Sequence, residues 1–283
     1  MSGPGVTMRI AAASVNAPIT GKAGTNAKCL SSRRPARCPV RAAASTRFLR
    51  PALDVGTRQA HMAASGRHAE RDQPMPLTET SDLVLYHAPR SRSFRILWFL
   101  EELGVPYALH RVSLEKGEQK SAEFLKLNPS GKVPAITDRG APVAESGAIV
   151  AYLAERYGNG RFSPAPGDPD RGAYLQWLFY AVGVMEPCFG EKFFKWDVPA
   201  RQAGWGDFAT MERVMTEALA GRTWILGDAF TAADILIGSN LHWGVLWHIL
   251  PSEGPIGSYA DRCRARPAFL EATRIDEELA AQG

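Results

Sequence analysis

The run Asn128-Pro129-Ser130-Gly131-Lys132-Val133-Pro134-Ala135-Ile136, with Glu145-Ser146 nine residues after it, is the most informative part of this sequence. Proline has no N–H to donate to a strand ladder, so Pro134 is not expected inside an ordinary central strand. We interpret it as a bend at the start of an apolar strand, which leaves the N–H and C=O of Val133 unpaired in the sheet. Those two free backbone groups can bind another extended, peptide-like molecule.

The composition indicates an ordinary globular protein. The chain has 283 residues, of which 45% are hydrophobic and 22% are charged. It contains no apolar run near the roughly 18 to 20 residues that a membrane helix needs. Residues 75–283 hold 21 Lys and Arg against 26 Asp and Glu, a net charge of −5. An acidic balance of this kind is unlike a nucleic-acid-binding surface, so we expect no nucleic-acid partner, and without a membrane-length apolar run we expect no membrane partner.

The N-terminal residues 1–74 differ from the rest of the chain. They hold 12 basic and three acidic residues, are rich in Ala, Arg, Ser, Gly and Pro, and lack a sustained hydrophobic period. Such a segment cannot bury enough apolar surface to order itself. We expect residues 1–80 to be a disordered or spurious N-terminal extension of a cytoplasmic protein, and we expect the natural start to lie at Met75. The alternative is a transit peptide that directs import into an organelle.

The cysteines and histidines do not form a metal-binding pattern. The four cysteines, Cys29, Cys38, Cys188 and Cys263, show no CxxC or other metal-ligand spacing. This usage is typical of a reducing compartment. We therefore expect neither a disulfide framework nor a metal site.

Strand and helix patterns alternate in the first part of the remaining chain. The order β-α-β-α-β-β-α predicts a small mixed sheet covered by helices on both faces. The predicted elements are strand 83–87, helix 94–104, strand 107–114, helix 121–127, a strand after Pro134, strand 141–144 and a helix capped by Ser146 that ends at Gly158.

The second part of the chain is predicted to be all helical. The Pro- and Gly-rich residues 161–169 are read as a linker, and the helical region follows over 170–283. Thr231 and Asp234 form a capping pair before a strongly apolar helix. The predicted helices are 170–196, 208–219, 235–250 and 259–279, the last broken near Arg266-Pro267.

Three motifs in this order resemble soluble glutathione S-transferases of the bacterial type. They are Asn-Pro-Ser-Gly-Lys-Val-Pro at 128–134, Glu-Ser-Gly-Ala-Ile-Val-Ala-Tyr-Leu at 145–153 and Leu-Gly-Asp-Ala-Phe-Thr-Ala-Ala-Asp-Ile at 226–235. The resemblance extends over residues 82–283. It implies a thioredoxin-like α/β domain at 81–160 that binds glutathione, an all-helical domain at 170–283, and a homodimer.

The resemblance assigns roles in glutathione binding. It implies that Pro134 is a cis-proline and that Val133 pairs its backbone with the cysteinyl part of glutathione. Glu145 and Ser146 hold the γ-glutamyl end, since free N–H groups at a helix start favour a carboxylate and Glu145 can meet the ammonium group. Lys132 is expected to pair with the glycine carboxylate. The alternatives are a plain helix-capping pair and a solvated surface lysine.

The thiol-activating group is expected to be a serine hydroxyl. Conjugation needs the thiolate, and a hydroxyl that donates a hydrogen bond to sulfur at a helix start favours that form. The candidates are Ser91 and Ser93, and Ser91 is preferred because serine-type members place the hydroxyl just before the helix. Arg92 aligns with the cysteine of cysteine-type members, which puts disulfide exchange in doubt. Tyr86 is a weaker candidate, and either serine could be only an N-cap.

The sequence thus predicts an enzyme that activates glutathione for attack on a small hydrophobic electrophile. Glutathione is the co-substrate, and no other cofactor is expected. The electrophile pocket is predicted between the domains, with Tyr174, Trp177, Tyr180 and Phe189 as lining candidates or, alternatively, core residues. The competing hypotheses are an inactive glutathione S-transferase-like binding protein and a glutathione-dependent isomerase, dehalogenase or peroxidase.

Overall fold

The computed structural model describes residues 82–199 and 201–282. The expectations about residues 1–80, including a start at Met75, lie outside the described residues. All of the elements below belong to one compact unit of the chain.

A four-stranded mixed sheet forms the first part of the described chain. Its strands are β1 (Leu83–His87), β2 (Ala108–Arg111), β3 (Ala135–Asp138) and β4 (Ala141–Ala144), in the spatial order β2-β1-β3-β4. β1 is parallel to β2 and antiparallel to β3, and β3 is antiparallel to β4. The helices of this part are α1 (Phe94–Leu103), α2 (Ala122–Leu127) and α3 (Ser146–Tyr157), with a short 3-10 turn at Glu118–Lys120.

The residue pattern explains how β1 and α1 pack. Burial alternates along β1, with Leu83, Leu85 and His87 on the buried face. Nearly all of α1 is buried because sheet and helices enclose it from several sides. Gly104 ends α1 in the left-handed conformation, with φ of 64°, and its N–H bonds to the Leu100 carbonyl.

The second part of the described chain is helical. It consists of α4 (Arg171–Tyr180), a π-helical segment (Ala181–Met185), α5 (Glu186–Phe194), α6 (Phe208–Leu219), α7 (Ala232–Leu246), α8 (Gly254–Arg264) and α9 (Pro267–Ala281). The predicted fold class, a thioredoxin-like α/β domain followed by an all-helical domain, is confirmed.

The prediction of one uninterrupted helix over 170–196 is wrong, because the structure has two α-helices there with a π-helical segment between them. The π-helical segment separates α4 from α5, and Pro187 opens α5. Proline cannot donate the i→i−4 hydrogen bond, so the backbone just before it departs from regular α geometry. The side-chain amide of Asn240 on α7 donates to the Ala181 carbonyl at 2.8 Å and so satisfies an acceptor at the start of this segment.

Several predicted boundaries also shift. β2 is shorter than the predicted strand 107–114, α7 ends at Leu246 rather than at 250, and α8 begins at Gly254 rather than at 259. The N-cap of α3 is Glu145, not Ser146, which is the first helical residue.

The two parts share one hydrophobic core. α1 packs against both α7 and α9, and Trp98 on α1 is fully buried with Tyr174 and Tyr259. The predicted capping pair is present, since Asp234 accepts hydrogen bonds from the Thr231 N–H and hydroxyl at 2.7 and 2.9 Å. This shared core fixes the relative position of the sheet and the helices, and with it the cavity between them.

No helix in the described part of the chain has both the length and the apolar character required to cross a membrane.

Candidate functional site

A cavity of about 630 Å³ lies beside the Val133-Pro134 bend. It brings together Lys132, Val133, Pro134, Glu145 and Ser146, the five residues that the sequence assigned to glutathione binding. The other lining residues come from the start of α1, from α3 and from the α4–α5 helical stretch: Arg92, Asn128, Gly147, Ala148, Ala151, Leu175, Leu178, Phe179, Val182 and Glu186.

The Val133-Pro134 bend presents free backbone groups to this cavity. The Val133–Pro134 peptide bond is cis, as the resemblance implies. β3 starts only at Ala135, and within residues 82–199 and 201–282 the N–H and C=O of Val133 form no hydrogen bond. A buried or half-buried backbone group without a partner is unfavourable, so these two groups favour a ligand with its own amide groups.

Hydrogen bonds of the Asn128 side chain and the backbone conformation of Gly131 fix the loop that precedes the bend. The Asn128 amide donates to the Lys132 carbonyl at 2.8 Å and its carbonyl oxygen accepts from the Ser130 N–H at 3.0 Å. Gly131 has φ of 59°, and a Cβ there would lie 2.6 Å from the Lys120 Nζ and 2.9 Å from the Gln119 carbonyl. Only glycine fits this left-handed turn without strain or a clash.

The start of α3 forms the second polar wall. Glu145 is exposed and adopts φ of 69° with ψ of 123°, a conformation that side-chain-bearing residues rarely occupy. Its carbonyl accepts the first helical bond, from the Ile149 N–H at 2.9 Å. The N–H groups of the first helical residues therefore remain available at the positive end of the helix dipole, next to the Glu145 carboxylate.

The start of α1 contributes a cation that is paired with a carboxylate at the start of α5. Arg92, with its side chain 60% exposed, bonds through Nε to Glu186 Oε2 at 2.6 Å. The buried Arg95 bonds through Nη1 to Glu186 Oε1 at 2.6 Å and through Nη2 to Asn240 Oδ1 at 3.0 Å. Burial lowers the pKa of Arg95, and the Glu186 carboxylate opposes that effect. Two guanidinium groups thus share one carboxylate, which leaves a net positive charge on this wall.

The two candidate serines lie just before Arg92 and α1. Ser93 is fully buried, and its Oγ lies 2.9 Å from His87 Nδ1 and accepts from the Ala88 N–H at 3.0 Å. Ser91 is half-buried, and its Oγ lies 2.7 Å from the Ser93 Oγ. The cavity lining includes Arg92 but neither serine. Of the two, Ser91 is the one whose hydroxyl lies nearer to solvent.

The apolar wall is made by different residues from those proposed from the sequence. Leu175, Phe179 and Val182 line the cavity, and Phe179 is 71% exposed. In contrast, Tyr174, Trp177 and Phe189 are buried in the core, and Tyr180 packs edge-on against Trp177. The aromatic residues at helical spacing therefore belong to the hydrophobic core rather than to the electrophile pocket. Leu175, Phe179 and Val182, on a neighbouring face of the same helical stretch, form the apolar wall.

Tyr86, the weaker candidate for thiol activation, and the cysteines of the described ranges do not line the cavity. Tyr86 packs against the rings of His110 and Phe124 and lines a separate depression. Cys188 and Cys263 are buried free thiols, and burial raises the pKa of Cys188 to about 11. No group of three or more His, Cys, Asp or Glu side chains in the described ranges is arranged to hold a metal ion.

Sequence reasoning missed the Arg92–Glu186 pair and the role of Asn128. The two residues of the pair are 94 positions apart, so no local pattern signals their contact. For Asn128 a signal exists, since an Asn followed by Pro and Ser commonly uses its side chain to close a turn.

Comparisons with known proteins agree with this geometry. Residues 81–155 match the model of the glutathione S-transferase N-terminal domain. The disulfide-bond oxidoreductase YfcG of Escherichia coli is 33% identical over 202 residues, which cover 66% of this chain and 93% of YfcG.

Solved structures show the same likeness over most of their length. A glutathione transferase family member from Pseudomonas fluorescens, solved with two glutathione molecules bound, is 31% identical with a TM-score of 0.54, and the match covers 68% of this chain and 92% of that one. The glutathione transferase URE2P8 from Phanerochaete chrysosporium, solved with oxidized glutathione, is 26% identical with a TM-score of 0.60, and the match covers 72% and 99%. With the motifs and the fold, these matches establish that the chain belongs to the glutathione S-transferase family.

Proposed function

We propose that this protein is a glutathione transferase that binds glutathione in the cavity beside Val133-Pro134 and activates its thiol for attack on a small hydrophobic electrophile. The observation that carries the proposal is the convergence of free peptide groups, fixed charges and an apolar wall on one cavity. Glutathione is a peptide with a carboxylate at each end and one ammonium group. The polar walls therefore suit the peptide groups and charges of glutathione. The apolar wall suits the second substrate that the thiol attacks.

Each polar group has a partner on glutathione in this proposal. The Val133 N–H and C=O pair with the cysteinyl backbone, as in the addition of a short strand to a sheet edge. The γ-glutamyl carboxylate lies at the start of α3 with Ser146, and its ammonium group pairs with Glu145. Lys132 is exposed beside the bend and pairs with the glycine carboxylate. The cysteinyl sulfur then points toward the start of α1.

Thiol activation is assigned to Ser91. A thiol with an ordinary pKa of about 8.5 is only about 3% ionised at pH 7. A hydroxyl donor and the positive charge of Arg92 stabilise the thiolate relative to the thiol. Leu175, Phe179 and Val182 form the apolar surface on which the electrophile binds.

The direct test is conjugation of glutathione to an activated aryl chloride, in which the absorbance of the conjugate is followed over time. We expect turnover that Ser91→Ala lowers by about 10²-fold, the size typical of losing one donor to a developing anion. The Kd for glutathione should change by less than threefold. Equal losses in turnover and affinity would contradict the role of Ser91, and absence of conjugation with a broad panel of electrophiles would contradict the transferase assignment.

A second candidate is the reduction of disulfides by two molecules of glutathione, which yields two thiols and glutathione disulfide. It is favoured by the name of the Escherichia coli relative and by the oxidized glutathione bound to URE2P8. Since the described cysteines are buried, both thiols would come from glutathione. Comparing the rates with a small hydroxyalkyl disulfide and with the aryl chloride separates the two activities.

The protein is also proposed to act as a homodimer, with domains at 81–160 and 170–283 joined by the linker at 161–169. Light scattering coupled to gel filtration measures the mass directly. A mass near twice 30.8 kDa is expected. A monomer at micromolar concentration would contradict this.

A further inference from the structure

A chain of polar atoms runs from Ser91 into the core and ends on the last helix. The Ser91 Oγ lies 2.7 Å from the Ser93 Oγ, which lies 2.9 Å from His87 Nδ1. On the other side of the imidazole, Nε2 lies 3.0 Å from Asp276 Oδ1. His87 ends β1, the serines precede α1, and Asp276 belongs to α9, 189 positions beyond His87.

The inner members of this chain are shielded from water. His87 and Ser93 are fully buried, and Asp276 is 7% exposed. A buried carboxylate is unfavourable unless donors surround it. The Arg90 N–H donates to its two oxygens at 3.3 and 3.2 Å, and His87 Nε2 lies 3.0 Å from Oδ1 in an ion-pair contact that is not aligned as a hydrogen bond. The carboxylate therefore contacts both the loop that carries the serines and the histidine behind it.

The contacts allow one continuous direction for the protons. The Asp276 carboxylate can only accept, so we assign the proton of the neutral imidazole to Nε2, which lies 3.0 Å from Oδ1, and the acceptor role to Nδ1. The Ser93 hydroxyl then donates to Nδ1, and its oxygen can accept from the Ser91 hydroxyl. The Ala88 carbonyl, 2.7 Å from Ser91 Oγ and 3.0 Å from Ser93 Oγ, is the other acceptor within reach. With the hydroxyls aligned on His87, all protons point away from the cavity and toward the imidazole.

We propose that Ser91, Ser93 and His87 form a proton relay that moves the thiol proton of bound glutathione to the imidazole of His87. The S–H bond breaks and its proton binds the Ser91 oxygen. The Ser91 proton passes to the Ser93 oxygen, and the Ser93 proton passes to Nδ1. The products are a thiolate, which now accepts a hydrogen bond from the Ser91 hydroxyl, and an imidazolium paired with Asp276. This inference rests on the proposed function, because it requires a glutathione thiol near Ser91.

The relay needs stabilisation of both charges that it creates. Ordinary thiols hold their proton about two pKa units more tightly than ordinary imidazoles. The Asp276 carboxylate on α9 lies 3.0 Å from Nε2 and so faces the imidazolium that the relay creates. Two positive groups also lie near the ring: Arg111, the register partner of His87 on β2, and the positive end of the α1 dipole. On the cavity side, Arg92 and the Ser91 hydroxyl favour the thiolate, so Asp276 is the positioning residue on which the balance depends.

The first test follows the protonation of His87 by NMR. The full-length protein with 15N-labelled histidine is titrated at pH 8 with glutathione, while thiolate absorbance near 240 nm is recorded on the same samples. We expect thiolate to form and both ring nitrogens of His87 to reach protonated shifts together. S-methylglutathione, which has no thiol proton, should bind and leave His87 neutral. Thiolate with a neutral His87 would overturn the relay alone, whereas binding without thiolate would overturn the proposed activation of glutathione as well.

The second test uses Asp276→Asn, which keeps the size and one oxygen acceptor for the Arg90 N–H but removes the charge. The relay predicts at least a tenfold fall in the ratio of thiolate to thiol for bound glutathione at pH 7, and partial recovery in Asp276→Glu. A merely structural Asp276 would instead weaken the binding of S-methylglutathione, for which the relay predicts a change in Kd below threefold. Loss of S-methylglutathione binding with an unchanged thiolate ratio would overturn the proposal.

Discussion

Replacing Glu145 with Gln should weaken glutathione binding by about 5- to 30-fold. Two unit charges 4 Å apart attract by about 1 kcal/mol in water and about 4 kcal/mol near a protein surface. Because Glu145 is exposed at the rim of the cavity, the low end of that range applies, and about 1 to 2 kcal/mol corresponds to this change in Kd. The substitution retains the backbone, the side-chain length and one oxygen acceptor.

Isothermal titration calorimetry with two ligands isolates the pair. Glutathione should lose affinity for Glu145→Gln, whereas N-acetylglutathione, which lacks the ammonium group, should bind both proteins within twofold. The difference for glutathione should shrink as salt rises from 0.1 to 1 M, since the screening length falls from about 10 to about 3 Å. Glu115→Gln is the matched control, because Glu115 is exposed and does not line the cavity. An equal loss with both ligands, or in the control, would refute the assignment of Glu145 to the ammonium group.

Three further predictions concern the frame around the site. Asp234→Ala leaves the Ile225 and Thr231 N–H groups and the Tyr259 hydroxyl without their acceptor, and should lower the free energy of unfolding in urea by about 3 to 6 kcal/mol; a loss below about 1 kcal/mol would contradict this. Gly131→Ala strains a backbone at φ of 59° and should cost about 1 to 2 kcal/mol of stability, with weaker glutathione binding; unchanged melting and affinity would contradict the account of the loop. Because burial raises the pKa of Cys188 to about 11, its thiol should be about 0.1% ionised at pH 8 and should be alkylated only after denaturation; mass spectrometry of the native protein showing rapid labelling there would contradict it.

The polar half of the cavity could be predicted from the sequence because its chemistry is local. A proline at the start of an apolar strand, a Gly turn before it and a Glu-Ser pair before an apolar helix each have a conformational meaning within a few residues. The structure brings Lys132, Val133, Pro134, Glu145 and Ser146 to one cavity. The order of strands and helices was predictable for the same reason.

The rest depends on contacts between distant parts of the chain. Arg92 meets Glu186, and His87 meets Asp276, only once α1 has packed against the helical part, and no short pattern records either contact. The residues on the apolar wall were also out of reach, because the helical phase of α4 relative to the cavity depends on packing. The π-helical segment before Pro187 was the exception, since a proline inside a long helical pattern signals a departure from regular geometry.

The cavity beside Val133-Pro134 is proposed to bind glutathione and to stabilise its thiolate. The most direct measurement is a titration of the full-length protein with glutathione while thiolate absorbance is followed from pH 5 to pH 9. We expect saturable binding, with a bound thiol that ionises well below its ordinary pKa of about 8.5 and a shift that Ser91→Ala largely removes. Binding with an unshifted thiol, or no binding at all, would contradict it.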